Sequence, residues 1–388
     1  DEARNLFIEG RDFYENLHED EARELFYAAL EKDQDFALCH YYLALTAGSA
    51  IDYSTHLKLS VQLASNASEG EQLLIESLRA RAENDAAAGI EKLEELVRLY
   101  PEDKRAHRML GYLYRGVDEE RAIAEYEKAI QLDKNYAPAY HNLGYAYQRK
   151  GEFDNAIKAF KKYSELLPNE ANPHDSIAEL YKKMGQYEQS IKHYKMALEL
   201  KPTFAFSHRN IGENLIFLGN FDEARFMFEE VQKLDVTPSK KADALQMIAH
   251  SYIYEGELDQ ALAACDRAIQ FARQHNLPEW QATLLLDKAM IRLEMGASAQ
   301  ALSDVKQCRQ IVAQSDLTEA DKDNFVQDAL YCESQIATQR KDFDHAFALA
   351  EMLKARIDAG NDPQELERYH NLPAFIHADH GHPRTALQ

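Results

Sequence analysis

Residues 137–170 read APAYHNLGYAYQRKGEFDNAIKAFKKYSELLPNE, and most of the chain can be aligned to this stretch. An aromatic residue precedes a Leu-Gly pair, a tyrosine follows, and an Ala-x3-Phe pair and a closing proline come later. These landmarks are Tyr140, Leu143, Gly144, Tyr147, Ala156, Phe160 and Pro168. Their spacing predicts two amphipathic helices joined by a short turn.

The order of these landmarks resembles the tetratricopeptide repeat (TPR) signature. The resemblance implies an all-α fold, a right-handed α-solenoid in which each helix-turn-helix repeat buries its apolar stripe against its neighbours. The Leu-Gly slot recurs at Leu110-Gly111 and as Ile211-Gly212, so the same template extends in both directions. Projected over the whole chain, it predicts about ten repeats and a half-repeat.

The predicted organisation is one continuous solenoid whose three parts differ in regularity. Residues 1–103 hold partly degenerate repeats, residues 104–241 hold regular repeats with a predicted peptide groove, and residues 242–388 hold divergent, longer repeats that end in an incomplete one. Extra residues around His275-Asn276-Leu277-Pro278 predict longer helices in the third part.

Two further repeats are predicted to begin near positions 282 and 327. A last repeat begins near Glu367 and reaches only the alanine slot of its second helix, at Ala386. An incomplete repeat would expose an apolar stacking surface, which a finished solenoid covers with a polar cap. We therefore expect more chain, or another molecule, at that end.

Composition narrows the classes of partner. The chain has 44 Lys and Arg against 66 Asp and Glu, a formal net charge of −22, which repels nucleic acid and anionic membrane surfaces. Since no uncharged apolar run approaches the length that spans a bilayer, we expect no membrane insertion. The four cysteines are scattered without a C-x-x-C pair and are predicted to be small buried hydrophobes: Cys39, Cys265, Cys308 and Cys332.

The TPR resemblance implies that the first helix of each repeat lines a concave groove. In the regular repeats the inward slots hold seven basic and three acidic residues, the reverse of the chain-wide balance. Because guanidinium groups form paired hydrogen bonds with carboxylates, this groove predicts an extended acidic peptide or protein segment as partner. The predicted groove residues are Arg105, Arg108, Tyr112, Arg115, His141, Tyr145, Arg149, Lys182, Lys183, Arg209 and Phe217.

An alternative interpretation is that these charges only solvate an exposed helix face. The Lys and Asn clamp with which chaperone-binding TPR domains hold a peptide carboxylate is not present. Its slots hold Arg108, Tyr112, His141 and Tyr145 instead. Carboxylate recognition in this chain would therefore be built differently.

Further along, the inward slots at Leu286, Met290 and Leu293 are apolar. This pattern predicts an exposed strip that would dock a partner helix or the chain's own C-terminal extension. The alternative is that the repeat register differs there and that these side chains belong to the core.

The sequence holds no motif for catalysis or for a cofactor. No phosphate-binding loop, dinucleotide fingerprint or nucleophile elbow occurs, so we expect neither enzyme activity nor a cofactor. One dense group of metal-capable side chains lies near the end of the chain, at His377, Asp379, His380 and His382. Its spacing differs from that of a metalloprotease helix, and a solvated turn is the preferred interpretation, with adventitious metal binding as the alternative.

The sequence therefore predicts a non-catalytic scaffold that binds a protein or peptide in its concave groove. The alternative is a structural protein that self-assembles head to tail through open solenoid ends. The chain is also similar to bacterial multi-repeat TPR proteins of unassigned role, which often carry an export signal in their precursors. That resemblance implies an exported location, with a cytoplasmic location as the alternative.

Overall fold

The structure, a computed structural model, describes residues 1–360 and Leu372. Among these residues it contains twenty α-helices and one short 3-10 helix, and no β-strand. The chain divides into two compact units, residues 1–202 and the residues from Thr203 onward. The predicted all-α class is confirmed.

The first compact unit is a series of helix pairs in which each helix packs against the next. The first helices of several neighbouring pairs also contact each other, which is how a solenoid packs. Its helices are α1 Glu2–Glu15, α2 Glu19–Lys32, α3 Ala37–Leu45, α4 Ala50–Leu63, α5 Glu69–Ala82, α6 Ala86–Leu99, α7 Lys104–Tyr114, α8 Glu119–Leu132, α9 Ala137–Arg149, α10 Phe153–Leu166, α11 Ala171–Lys183 and α12 Tyr187–Leu200. The 3-10 helix Ala64–Asn66 follows α4 directly.

The second compact unit continues the same pairwise packing with longer helices. Its helices are α13 Ala205–Phe217, α14 Phe221–Lys233, α15 Pro238–Glu255, α16 Leu258–Gln274, α17 Pro278–Glu294, α18 Ser298–Gln314, α19 Glu319–Gln339 and α20 Phe343–Gly360. Helix α15 has 18 residues where α9 has 13, so the longer helices predicted for this region are confirmed. Within residues 1–360 the helices form ten pairs, in agreement with the α-solenoid template.

The turn between α9 and α10 shows how a repeat is folded locally. Gly151 has φ +75°, in the left-handed region that a side chain disfavours. Its N–H donates to the carbonyl of Gln148 at 3.1 Å, and the N–H of Glu152 donates to the carbonyl of Tyr147 at 2.9 Å. These two bonds satisfy two of the last carbonyls of α9, and the chain reverses there to begin α10.

Close contact between the helices of a pair depends on the small residue of the Leu-Gly slot. A methyl group added to Gly144 would overlap the ring of Phe160, which is fully buried. The same relation recurs between Gly111 and Tyr126, and between Gly212 and Phe228. The signature residues are therefore committed to packing.

The predicted starts of two late repeats need correction. Helix α17 begins at Pro278 rather than near 282, and α19 begins at Glu319 rather than near 327. Helix α19 has 21 residues, and a template of shorter helices places its start too late. Proline at the first turn of α17 favours a helix start there, because the missing N–H would have no intrahelical partner.

The apolar strip predicted around Leu286, Met290 and Leu293 is largely core. Leu286 and Leu293 are each 8% exposed and belong to the main hydrophobic cluster of the second unit, and Met290 packs against that cluster. The prediction of an exposed docking strip at these positions is wrong. The longer helices shift the register, so these side chains point at neighbouring helices instead of solvent.

The cysteines lie where the sequence predicts them. All four are buried free thiols within helices. Burial raises the pKa of Cys39, Cys265 and Cys308 to about 12. They behave as small apolar side chains of the core. In the part of the chain that the structure describes, no helix combines the length and the apolar character needed to cross a membrane.

The predicted three-part division and the C-terminal segment stay predictions. The three-part division at 103/104 and 241/242, the single continuous solenoid and its right-handed sense are not tested by the two compact units. The half-repeat from Glu367 with Ala386, and the group His377, Asp379, His380 and His382, lie outside the described residues.

Candidate functional site

The first compact unit contains a concave cavity of about 670 Å³. Its walls come from the first helices of five successive pairs, α1, α3, α5, α7 and α9, with a few side chains from turns and second helices. Residues three or four apart lie on one face of a helix, which is why Arg108 and Tyr112 reach the same side, and Arg115 directly follows the end of α7. His141, Tyr145 and Arg149 on α9 repeat this arrangement.

Six of the eleven predicted groove residues line this cavity: Arg108, Tyr112, Arg115, His141, Tyr145 and Arg149. Arg105 lies on α7 and turns toward α1. Lys182 and Lys183 end α11 in the same unit, away from the cavity lining. Arg209 and Phe217 lie on α13 in the second unit, where Phe217 is 60% exposed. The eleven residues are therefore divided between the two units.

The charge of the cavity lining is basic. Four arginines and two glutamates contribute to it, although the chain as a whole is strongly acidic. The lining residues with formal charge are Arg81, Arg108, Arg115, Arg149, Glu15 and Glu19. Most of the tyrosines in the lining lie on α1, α3, α7 and α9. The cavity thus combines cationic and aromatic side chains in a chain of opposite overall charge.

Glu15 at the end of α1 neutralises part of this basic charge. Its side chain is only 5% exposed and accepts hydrogen bonds from Arg105 Nε at 2.9 Å and from Tyr136 Oη at 3.1 Å. Arg108 Nη2 lies 3.8 Å from the same carboxylate oxygen, and Arg108 Nε donates to Tyr136 Oη at 2.9 Å. We call Glu15, Arg105, Arg108 and Tyr136 the Glu15 cluster.

Burial disfavours the charge on Arg108, but Tyr136 and Glu15 outweigh that cost and hold the pKa of Arg108 above its ordinary value. Arg108 therefore stays charged within the Glu15 cluster. A second contact also joins residues that are far apart in the sequence of the unit: His18 Nε2, between α1 and α2, lies 3.1 Å from Glu170 Oε2, directly before α11. Together these contacts join the first helix pair to later pairs of the unit.

Arg149 is also paired with an acid. Its Nε and Nη2 donate to the two oxygens of Glu119 at 2.6 and 3.0 Å, a bidentate arrangement. Burial raises the pKa of Glu119, but Arg149 and the N–H of Gly116 outweigh it and lower that pKa overall. Arg149 thus links the end of α9 to the start of α8.

Two other arginines of the cavity are arranged around one tyrosine ring. The guanidinium carbon of Arg115 lies 4.4 Å from the ring centroid of Tyr112, and that of Arg81 lies 5.7 Å from it. Arg115 Nη2 also donates to Tyr112 Oη at 3.1 Å. Both arginines are exposed, and within residues 1–360 neither forms an ion pair. We call Arg81, Tyr112 and Arg115 the Tyr112 cluster.

Arg81 is absent from the predicted groove residues, although a signal for it exists. The repeat from position 70 places Arg81 at the slot that Arg115 occupies in the repeat from position 104. That third repeat is partly degenerate, so the sequence alone does not fix its inward positions. In the structure Arg81 lines the cavity, with its guanidinium carbon 5.7 Å from the ring centroid of Tyr112 on α7.

His141 and Tyr145 form a half-buried aromatic floor of the cavity. The ring centroid of His141 lies 5.0 Å from that of Tyr145 and 5.1 Å from that of Tyr163. Burial, and then the charge of Arg108, lower the pKa of His141 to about 4, so the ring is neutral at pH 7. Tyr145 Oη donates to Glu179 Oε2 at 2.8 Å. These two residues shape the cavity rather than add charge.

In the second unit Arg209 is engaged by acids. Its Nε donates to Asp243 Oδ2 at 2.5 Å, and its Nη1 lies 2.6 Å from Glu213 Oε1. Since Asp243 belongs to α15, these contacts connect the first helices of two successive pairs. The arginine that the sequence assigned to ligand binding here contributes to packing between pairs.

Comparison with protein families finds matches through the middle of the chain. A family model described as TPR repeat matches residues 119–151. Two models described as tetratricopeptide repeat match residues 137–170 and 176–204, and residues 210–235 and 242–275. A search of curated proteins found no match.

Several solved structures are similar to parts of the chain. One is YrrB, described as a TPR protein with an unusual peptide-binding site, at 26% identity over 48% of this chain and 94% of that one, with a TM-score of 0.36. MamA is 25% identical over 40% of this chain and 92% of its own, with a TM-score of 0.36. A tetratricopeptide repeat protein from Parabacteroides merdae is 15% identical over 68% of this chain and 100% of its own, with a TM-score of 0.47.

Proposed function

We propose that this chain, which belongs to the tetratricopeptide-repeat family, is a non-catalytic scaffold that binds an extended acidic segment of a partner protein. The models of that family match within residues 119–275. The binding site in this proposal is the cavity of the first compact unit. One observation carries it: four arginines, two glutamates and several tyrosines line that cavity in a chain of net charge −22. An acidic segment is attracted by such a lining, and tyrosine rings add contact area at low conformational cost.

The shape of the cavity supports an extended ligand. Five first helices surround it, since Glu15 on α1 contacts Arg105 on α7 and Tyr136 at the start of α9. A peptide segment has the backbone groups to hydrogen-bond to the polar side chains of several of these helices.

A peptide-binding experiment tests the proposal. A short fluorescein-labelled peptide rich in Glu and Asp is titrated with the protein and followed by fluorescence anisotropy, beside a peptide with Gln and Asn at the acidic positions. The acidic peptide is expected to bind more tightly, and its affinity should fall as salt is added. Equal affinity for the two peptides would contradict the proposal.

A variant locates the site. Ala47 lines the cavity and is half-buried, so Ala47→Trp fills part of the space with an indole ring. We expect this change to weaken binding of the acidic peptide by about tenfold or more. Ile51→Trp is the matched control, because Ile51 is 77% exposed and lies outside the cavity lining. It should leave the affinity unchanged.

Head-to-tail self-assembly stays a prediction. It rests on the apolar surface of the half-repeat that begins near Glu367, and that segment lies outside the described residues. No observation on the described residues favours it over peptide binding.

A further inference from the structure

The arginines of the cavity differ in what they contact. Arg108 faces the carboxylate of Glu15, and Arg149 is bound on both nitrogens by Glu119. A ligand carboxylate at either position would have to displace an acid that the chain itself supplies. Such an exchange replaces one ion pair by another and gains little.

The Tyr112 cluster offers a ligand carboxylate two arginines that are not already paired with an acid of the described chain. Arg81 and Arg115 form no ion pair within the described residues, and both guanidinium groups lie near the ring of Tyr112. The ring restricts the orientation of the two groups, which lowers the entropy lost when they bind a ligand. The stem of Arg81 also packs over α6, since its Cγ lies 3.2 Å from where a Cβ on Gly89 would be. Both cations are therefore held at the cavity wall.

We propose that Arg81 and Arg115 together form the carboxylate anchor of the groove, with Tyr112 as the positioning residue between them. This inference rests on the proposed function and names the subsite that would hold the acidic ligand. The group it binds is a carboxylate, from either an Asp or Glu side chain or a peptide C-terminus. Two planar guanidinium groups offer paired N–H donors to the two oxygens of such a group.

The other arginines of this region are already paired with acids of the chain. Arg105 and Arg108 keep α1 in place through Glu15, and Arg149 joins α9 to α8 through Glu119. Their charges are used within the fold. Among the described arginines of the cavity, Arg81 and Arg115 carry the charge that no acid of the fold pairs with.

Substitution at the anchor tests this inference. Anisotropy titrations with the acidic peptide are run on the wild type, Arg81→Ala, Arg115→Ala and the double variant. Each single change is expected to weaken binding about fivefold, and the double change at least about tenfold. Arg79→Ala is the matched control, because Arg79 is exposed on the same helix, pairs with Glu83 and lies outside the cavity lining. Circular dichroism of each variant should match the wild type, since both arginines are exposed.

The outcomes separate this inference from the proposed function. If the acidic peptide binds, Ala47→Trp weakens it and the arginine variants do not, the scaffold proposal stands and the anchor is wrong. If the acidic peptide does not bind the wild type, both are wrong. A second arm uses the same peptide with an amidated C-terminus: a loss of affinity that matches the double variant assigns the anchor to a C-terminal carboxylate, and unchanged affinity assigns it to a side chain.

Discussion

Arg105 Nε donates a hydrogen bond of 2.9 Å to Glu15 Oε1, although 90 residues separate the two in sequence. Tyr136, directly before α9, and Arg108 on α7 complete the contact. The first helix pair is therefore joined to pairs later in the unit by one buried carboxylate. Since that carboxylate lies in the cavity lining, it also sets which arginines a ligand can use.

We predict that Glu15→Gln destabilises the first unit by about 2 kcal/mol, because two arginines lose their buried acid. Hydrogen exchange followed by mass spectrometry should show faster exchange in α1, and the denaturation midpoint should fall. Glu9→Gln on the exposed side of the same helix is the control and should change neither. Unchanged protection of α1 in Glu15→Gln would show that the Glu15 cluster does not hold this helix.

Gly144→Ala tests the close approach of α9 and α10. The added methyl group would overlap the ring of Phe160, so we expect a loss of about 1–3 kcal/mol in the free energy of unfolding. Chemical denaturation measures the change. Gly48→Ala is the control, since a methyl group there meets no atom within 4 Å. Phe160→Leu should recover part of the loss when combined with Gly144→Ala, and a lack of any coupling would contradict the proposed overlap.

The contact between Gly144 and Phe160 could be predicted from the sequence, and the Glu15 cluster could not. The first joins two helices of one repeat, and its spacing recurs in the signature. The second depends on how small rotations between successive pairs accumulate over several repeats, which a single-repeat template does not encode. The distinction between Arg81 and Arg108 has the same origin, because only the position of Glu15 shows which cation is already paired.

The pKa of His141 predicts a pH dependence of stability. Burial lowers it from 6.5 to about 4 in the folded chain. Between those values the unfolded chain binds a proton that the folded chain does not, so stability is lost as pH falls from 6.5 toward 4. The loss from this residue is about 2–3 kcal/mol at pH 4. Burial lowers the pKa of His193 to about 4 as well, and it adds in the same direction.

Denaturation midpoints measured between pH 7 and pH 4 check this prediction. His141→Phe should make the profile shallower, because phenylalanine keeps the contacts with Tyr145 and Tyr163 and cannot be protonated. The exposed His345 gives the control variant His345→Phe, which should leave the profile unchanged. If the wild-type profile is no steeper than that of His141→Phe, His141 has the same pKa in the folded and unfolded chains and the prediction is wrong.

Photo-crosslinking of a bound acidic peptide tests the central claim most directly, namely that the cavity of the first unit is the binding site. A peptide rich in Glu and Asp that carries a benzophenone group is irradiated with the full chain, and the crosslinked residues are identified by mass spectrometry. We predict that crosslinks fall on cavity residues such as Leu45, Met109 and Leu113, and that an excess of unlabelled peptide removes them. Crosslinks confined to residues outside the cavity, or insensitive to the competitor, would contradict the account.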